Sequence, residues 1–126
     1  MRPFSTMSMR YDGKDFLLLD QARLPQEEKW VICNDTETLI DCMQRLAIRG
    51  APAIGIASAV LLAVLAKSSI SRTQLIDDAR LLRLARPTAV NLLHCIDRVM
   101  DVIGQYDYGA AMAKVAEEIK EEDITL

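Results

Sequence analysis

Apolar residues alternate with polar ones in the first third of the chain and recur every three to four positions through the rest. Met7 to Tyr11 and Asp15 to Leu19 flank Asp12-Gly13, a dipeptide that suits a two-residue type I′ hairpin because it tolerates positive φ. Leu24-Pro25 begins a turn, and Lys29 to Cys33 reads as a third short strand. From Asn34 onward the period becomes helical. Asn34 with Glu37 three residues later has the form of a capping box. Leu39, Ile40, Met43, Leu46 and Ala47 mark one helix face, and Gly50 is the expected stop. A second helix starts near Pro52 and runs to about Lys67, uncharged and apolar all round until its last residue.

Ser71 and Gln74 form another cap signature, opening a helix with Leu75, Ile76, Ala79 and Leu82 inward. It should end before Arg86-Pro87, because proline drives the preceding residue out of the helical region. A fourth helix is expected from Pro87 or Thr88, with Val90, Leu93, Ile96, Val99, Met100 and Ile103 as its apolar stripe. Asp107 can cap a fifth, through Met112, Val115 and Ile119, and the acidic run from Glu117 to Asp123 reads as a solvated face. The fold class is therefore α+β and mostly helical. A small antiparallel three-stranded β region (1–33) precedes a bundle of four to five helices (34–126). Thr125-Leu126 carries no closing signal, so the expectation is a stop between two parts of a larger protein.

Composition narrows the functional classes. At 126 residues with 51% hydrophobic and 5% aromatic content, the core must be built from aliphatic helix faces. A net charge of −3, with lysines and arginines scattered singly, argues against a nucleic-acid partner. Three cysteines without a CxxC spacing and one histidine make a metal site unexpected. Cys33, Cys42 and Cys95 read as buried free thiols in a reducing cytoplasm, and His94 as a helix-packing residue. The N-terminus has no apolar signal segment. Gly50 to Ala66 would span about 25 Å at ~1.5 Å per residue, short of a ~30 Å hydrocarbon layer. It is read as a buried helix, with no membrane partner.

Two places share one design. Arg49-Gly50-Ala51-Pro52 and Arg86-Pro87-Thr88-Ala89 each put an arginine ahead of a proline-led helix start with small residues. A helix N-terminus offers unpaired N–H groups and the positive end of the dipole, small residues allow close approach, and arginine adds bidentate hydrogen bonds. One such site is weak evidence. Two in a small chain point to a bound phosphate, with both guanidinium groups facing a common cleft.

The segments Ile48 to Ala59 (IRGAPAIGIASA) and Ala85 to Leu92 (ARPTAVNL) resemble the two signature segments of the methylthioribose-1-phosphate isomerases. Leu17 to Glu27 (LLLDQARLPQE) resembles the strand and turn that open that family's first domain. Glu121 to Leu126 (EEDITL) resembles the segment leading into its second. The wider group includes ribose-1,5-bisphosphate isomerases and the regulatory subunits of translation initiation factor 2B, which stay as alternatives. The resemblance implies an N-terminal domain only, without the Rossmann-like catalytic domain. It makes Arg49, Gly50 and Ala51 a substrate-binding loop and Arg86 a second phosphate ligand, with Pro52, Thr88 and Asn91 shaping the pocket. The implied reaction is the aldose–ketose conversion of 5-methylthioribose 1-phosphate to 5-methylthioribulose 1-phosphate in methionine salvage. The implied partner is a small sugar phosphate, with no cofactor, no catalytic residue in this stretch, and room for a homo-oligomer.

Overall fold

A computed structural model of the chain describes residues 1 to 122 except Leu46, Arg49 and Ser69, and of Ala51 only the backbone. The alternating segment forms an antiparallel meander of four strands, β1 (Phe4–Ser5), β2 (Met9–Tyr11), β3 (Phe16–Leu19) and β4 (Trp30–Ile32), in that order across the sheet. Strand β1 exceeds the three expected; two residues are too short to show alternation, and only pairing of Phe4 with Tyr11 and Ser5 with Arg10 reveals it. Met9 lies opposite Leu18 and Tyr11 opposite Phe16, and all four are buried on one face. Because the ladder closes at Tyr11 and Phe16, the connection has four residues, Asp12 to Asp15, rather than the two of a type I′ turn. The Asp12 carboxylate sets it by accepting the N–H groups of Lys14 and Asp15 at 2.8 and 2.7 Å, and Gly13 supplies φ 95°.

Five helices follow: α1 (Thr36–Gln44), α2 (Ala51–Lys67), α3 (Arg72–Ala85), α4 (Val90–Met100) and α5 (Tyr108–Glu122). The cap of α1 is Asp35, which accepts the Thr38 N–H at 2.7 Å, and not Asn34. Asn34 is engaged elsewhere: its side-chain oxygen accepts the Phe16 N–H at 3.1 Å, tying the sheet to the helix entry. Helix α1 ends at Gln44, so Gly50 opens α2 rather than closing α1. Ser71 caps α3 through the Gln74 N–H, and Asp107 accepts the Ala110 N–H at the head of α5.

Helix α2 runs through the middle, buried from Ala53 to Ala63 and in contact with all four other helices. An all-round apolar surface has no other stable location in a domain of this size. The outer helices bury most of their expected apolar residues, each turned slightly about its axis. In α3 the buried set is Leu75, Asp78, Ala79 and Leu82, while Ile76 is 40% exposed. Asp78 is accommodated by hydrogen bonds from Gln74 and Thr36 at 3.1 and 3.5 Å. Helix α4 starts at Val90, not at Pro87 or Thr88; Val90 is 78% exposed, Leu92, Cys95, Ile96 and Val99 are buried, and Ile103 lies past the helix end. In α5 the small residues Ala113 and Ala116 join Met112 and Ile119 inside. Among the described residues no helix is long and apolar enough to cross a membrane.

Candidate functional site

The first turn of α2 keeps the features expected of an anion site. Gly50 precedes it at φ 92°, a left-handed conformation that L side chains rarely adopt, which is why glycine is needed there. Gly50 is exposed, and a Cβ on it would meet no described atom within 4 Å, so its conformation rather than crowding calls for glycine. The N-cap, a glycine, gives the turn no side-chain cap, and Pro52 occupies an early position where its missing N–H costs little. Of the residues expected to bind there, Gly50, the Ala51 backbone and Pro52 are at this helix start. Arg49 lies outside the described residues.

The second half of the expected site is built differently. Arg86 is the C-cap of α3, half-buried, and Pro87 and Thr88 form an exposed turn closed by the Ala89 N–H donating to the Arg86 carbonyl at 3.0 Å. With α4 beginning at Val90, Arg86 does not stand at the head of the following helix.

An open cleft of about 280 Å³ lies between the head of α2, one face of α4 and the end of α5. Of the residues expected to shape the pocket, Pro52 and Asn91 line this cleft; Thr88 does not, nor does Arg86. Its other polar walls are His94, Arg98 and Glu122, none of which the sequence reading placed in a pocket. His94 is exposed in the cleft rather than packed between helices. Arg98 donates two hydrogen bonds to the Glu122 carboxylate at 2.8 and 2.7 Å, and this pairing holds the Glu122 carboxyl below its ordinary range. The helical spacing of Asn91, His94 or Cys95, and Arg98 was a signal available in the sequence, since residues three and four apart share a face. Cys95 is buried beside them, and burial pushes its thiol up, away from the reactive thiolate.

No family model matches the chain. The methylthioribose-1-phosphate isomerase of Klebsiella pneumoniae is 38% identical over 123 residues, 98% of this chain and 36% of that protein. Its counterpart in Serratia proteamaculans is 39% identical over the same shares. Over nearly its whole length this chain is similar to part of the methylthioribose-1-phosphate isomerases. Among solved structures, the 5-methylthioribose 1-phosphate isomerase of Pyrococcus horikoshii matches with a TM-score of 0.80 and 26% identity, over 93% of this chain and 36% of that one. The delta subunit of translation initiation factor eIF-2B from A. fulgidus matches with 0.81 and 30% identity, over 95% and 38%. The chain thus spans 36% of the length of the curated isomerases it matches.

Within the isomerase-like segment around Gly50, a second glycine has a packing role. A Cβ on Gly55 would lie 2.5 Å from the Asn91 side-chain oxygen and 2.8 Å from the Cys95 sulfur, so α2 and α4 meet here at backbone range. Gly55→Ala is expected to lower stability by about 1–2 kcal/mol: helix propensity favours alanine by up to ~1 kcal/mol, but overpacking costs about 1–3. Urea unfolding measures this. A more stable variant would mean that the helices separate without strain.

Proposed function

We propose that this chain is the sugar-phosphate-holding domain of an aldose–ketose isomerase acting on 5-methylthioribose 1-phosphate, the N-terminal one of two. The observation that carries the reading is 38% identity to an isomerase of that name across 98% of the chain. The open, uncapped head of α2 supports it physically. The phosphate dianion meets backbone N–H groups and the positive helix end, and Arg49, next to Gly50 in the sequence, adds charge-assisted hydrogen bonds. Pro52 and Asn91 shape the space beside the sugar. Phosphate anchoring supplies binding and orientation; moving hydrogen between sugar carbons needs a positioned acid or base as well. Those groups, a cysteine and an aspartate, belong to a following Rossmann-like domain. The chain works in the cytoplasm on a small ligand, without a cofactor or nucleic acid, and tolerates a homo-oligomeric assembly.

Titrating inorganic phosphate and methylthioribose 1-phosphate into ¹⁵N-labelled chain tests the reading. The Gly50 and Ala51 amide resonances should move with a Kd on the order of millimolar, because water screens a site that is open on one side. Amides of the sheet should stay in place. A flat response at Gly50 and Ala51 would favour the second reading, a regulatory module like the initiation-factor subunit. That reading has its own support in the TM-score of 0.81 to the eIF-2B delta subunit.

A further inference from the structure

We infer that Asp20 is a positioning residue for the head of α2, acting through Arg45 and through the backbone of Gln21. The inference rests on the anion-site reading above and adds the element that orients it. Asp20 ends the β3 segment and is 1% exposed. One carboxylate oxygen accepts the Ala22 N–H at 3.1 Å, and the other accepts a hydrogen bond from Arg45 at 3.0 Å and forms an ion pair with Arg23 at 3.4 Å. Arg45 is the C-cap of α1 and is also held by Asp41 at 2.8 Å, so the pair joins the sheet to the end of that helix. The next residue, Gln21, donates its N–H to the Ala47 carbonyl at 2.7 Å. Ala47 and Ile48 in turn donate to the Cys42 carbonyl at 2.9 and 3.4 Å, and both are buried. Two residues beyond Ile48 is Gly50, whose carbonyl accepts the first described α2 bond, from Ile54 at 3.1 Å.

A buried carboxylate is a costly way to close a strand. Removing a charge from water costs several kcal/mol, and an apolar residue of similar volume commonly serves stability as well or better. What the charge adds is direction: one carboxylate holds two guanidinium groups at fixed angles, beside a backbone bond to the segment that leads into α2. Burial works to raise the Asp20 pKa, yet the Arg45 hydrogen bond and charge outweigh it and keep the group below its ordinary value. Asp20 thus carries its charge at neutral pH, facing the Arg45 guanidinium.

The test compares Asp20→Asn and Arg45→Met with the unaltered chain by amide hydrogen exchange and phosphate titration. Arg45 is 40% exposed, so its replacement is a second probe if the buried variant fails to fold. In either variant, exchange at the Ile54 amide should quicken about tenfold while the sheet amides of Phe16 and Leu18 keep their protection, as expected of local opening. The phosphate response at Gly50 and Ala51 should weaken about tenfold or more, the size of one charge-assisted hydrogen bond at the low end of its range. Unchanged Ile54 exchange would overturn the inference, and so would uniform quickening at all three amides, which marks a purely structural role. If the unaltered chain ignores phosphate, the anion-site reading falls, while Ile54 exchange still decides what Asp20 positions.

Discussion

Replacing Leu61 by alanine is expected to destabilise the chain by about 2–5 kcal/mol. Leu61 is fully buried near the middle of α2, the helix that every other helix touches. Removing its branched end loses the transfer free energy of three carbons and leaves a cavity. Residues on several elements would have to move inward together to fill that space. Against a total stability of roughly 5–15 kcal/mol for a natural domain, that loss is large. Urea denaturation followed by circular dichroism measures it, with an unchanged slope showing that the unfolded state is unaffected. A loss below about 1 kcal/mol would mean that α2 is not clamped on all sides, since surface substitutions cluster there.

The 126 residues by themselves are expected to convert no methylthioribose 1-phosphate. The matched isomerases are nearly three times as long as the stretch they share with this chain, which is 36% of their length. The resemblance assigns the reaction's cysteine and aspartate to the remainder. The cysteines available here are poor substitutes: Cys33, Cys42 and Cys95 are all buried, and burial pushes each thiol up. A missing positioned acid or base costs about 10²- to 10⁴-fold, and a missing nucleophile more. The assay is product formation by chain purified from a host lacking its own isomerase. Sustained turnover would put the chemistry within these residues, and His94 in the α4 cleft would be the first side chain to replace.

The order of elements was legible before the structure. Alternation in Met9 to Leu19 and helical spacing from Asp35 to Ile119 express contacts between near neighbours in the chain, so they can be read locally. The burial of α2 was equally plain, because a helix without a polar face has only one environment open to it. The segments RGAPAIG and ARPTAVNL carried the resemblance that the relatives bear out; Gly50 and Pro52 of the first lie at the head of α2, and Asn91 of the second lines the cleft.

What the tertiary structure decided was which of several equivalent local choices is used. Asn34 and Asp35 could each cap α1, and Asp35 does so because Asn34 is claimed by the Phe16 N–H, 18 residues away. The rotation of α3 and α4 was set by what each helix meets: Asp78 faces Thr36 across the core, and α4 closes on Gly55 of α2. That rotation, together with a start at Val90, leaves Arg86 at the end of one helix rather than the head of the next, and turns His94 and Arg98 into the cleft. Arg98 and Glu122 are 24 residues apart, and no local period relates them. Helix and strand follow from interactions within a few residues, whereas the choice of partner for a cap, a buried charge or a cleft wall depends on which distant surfaces come together.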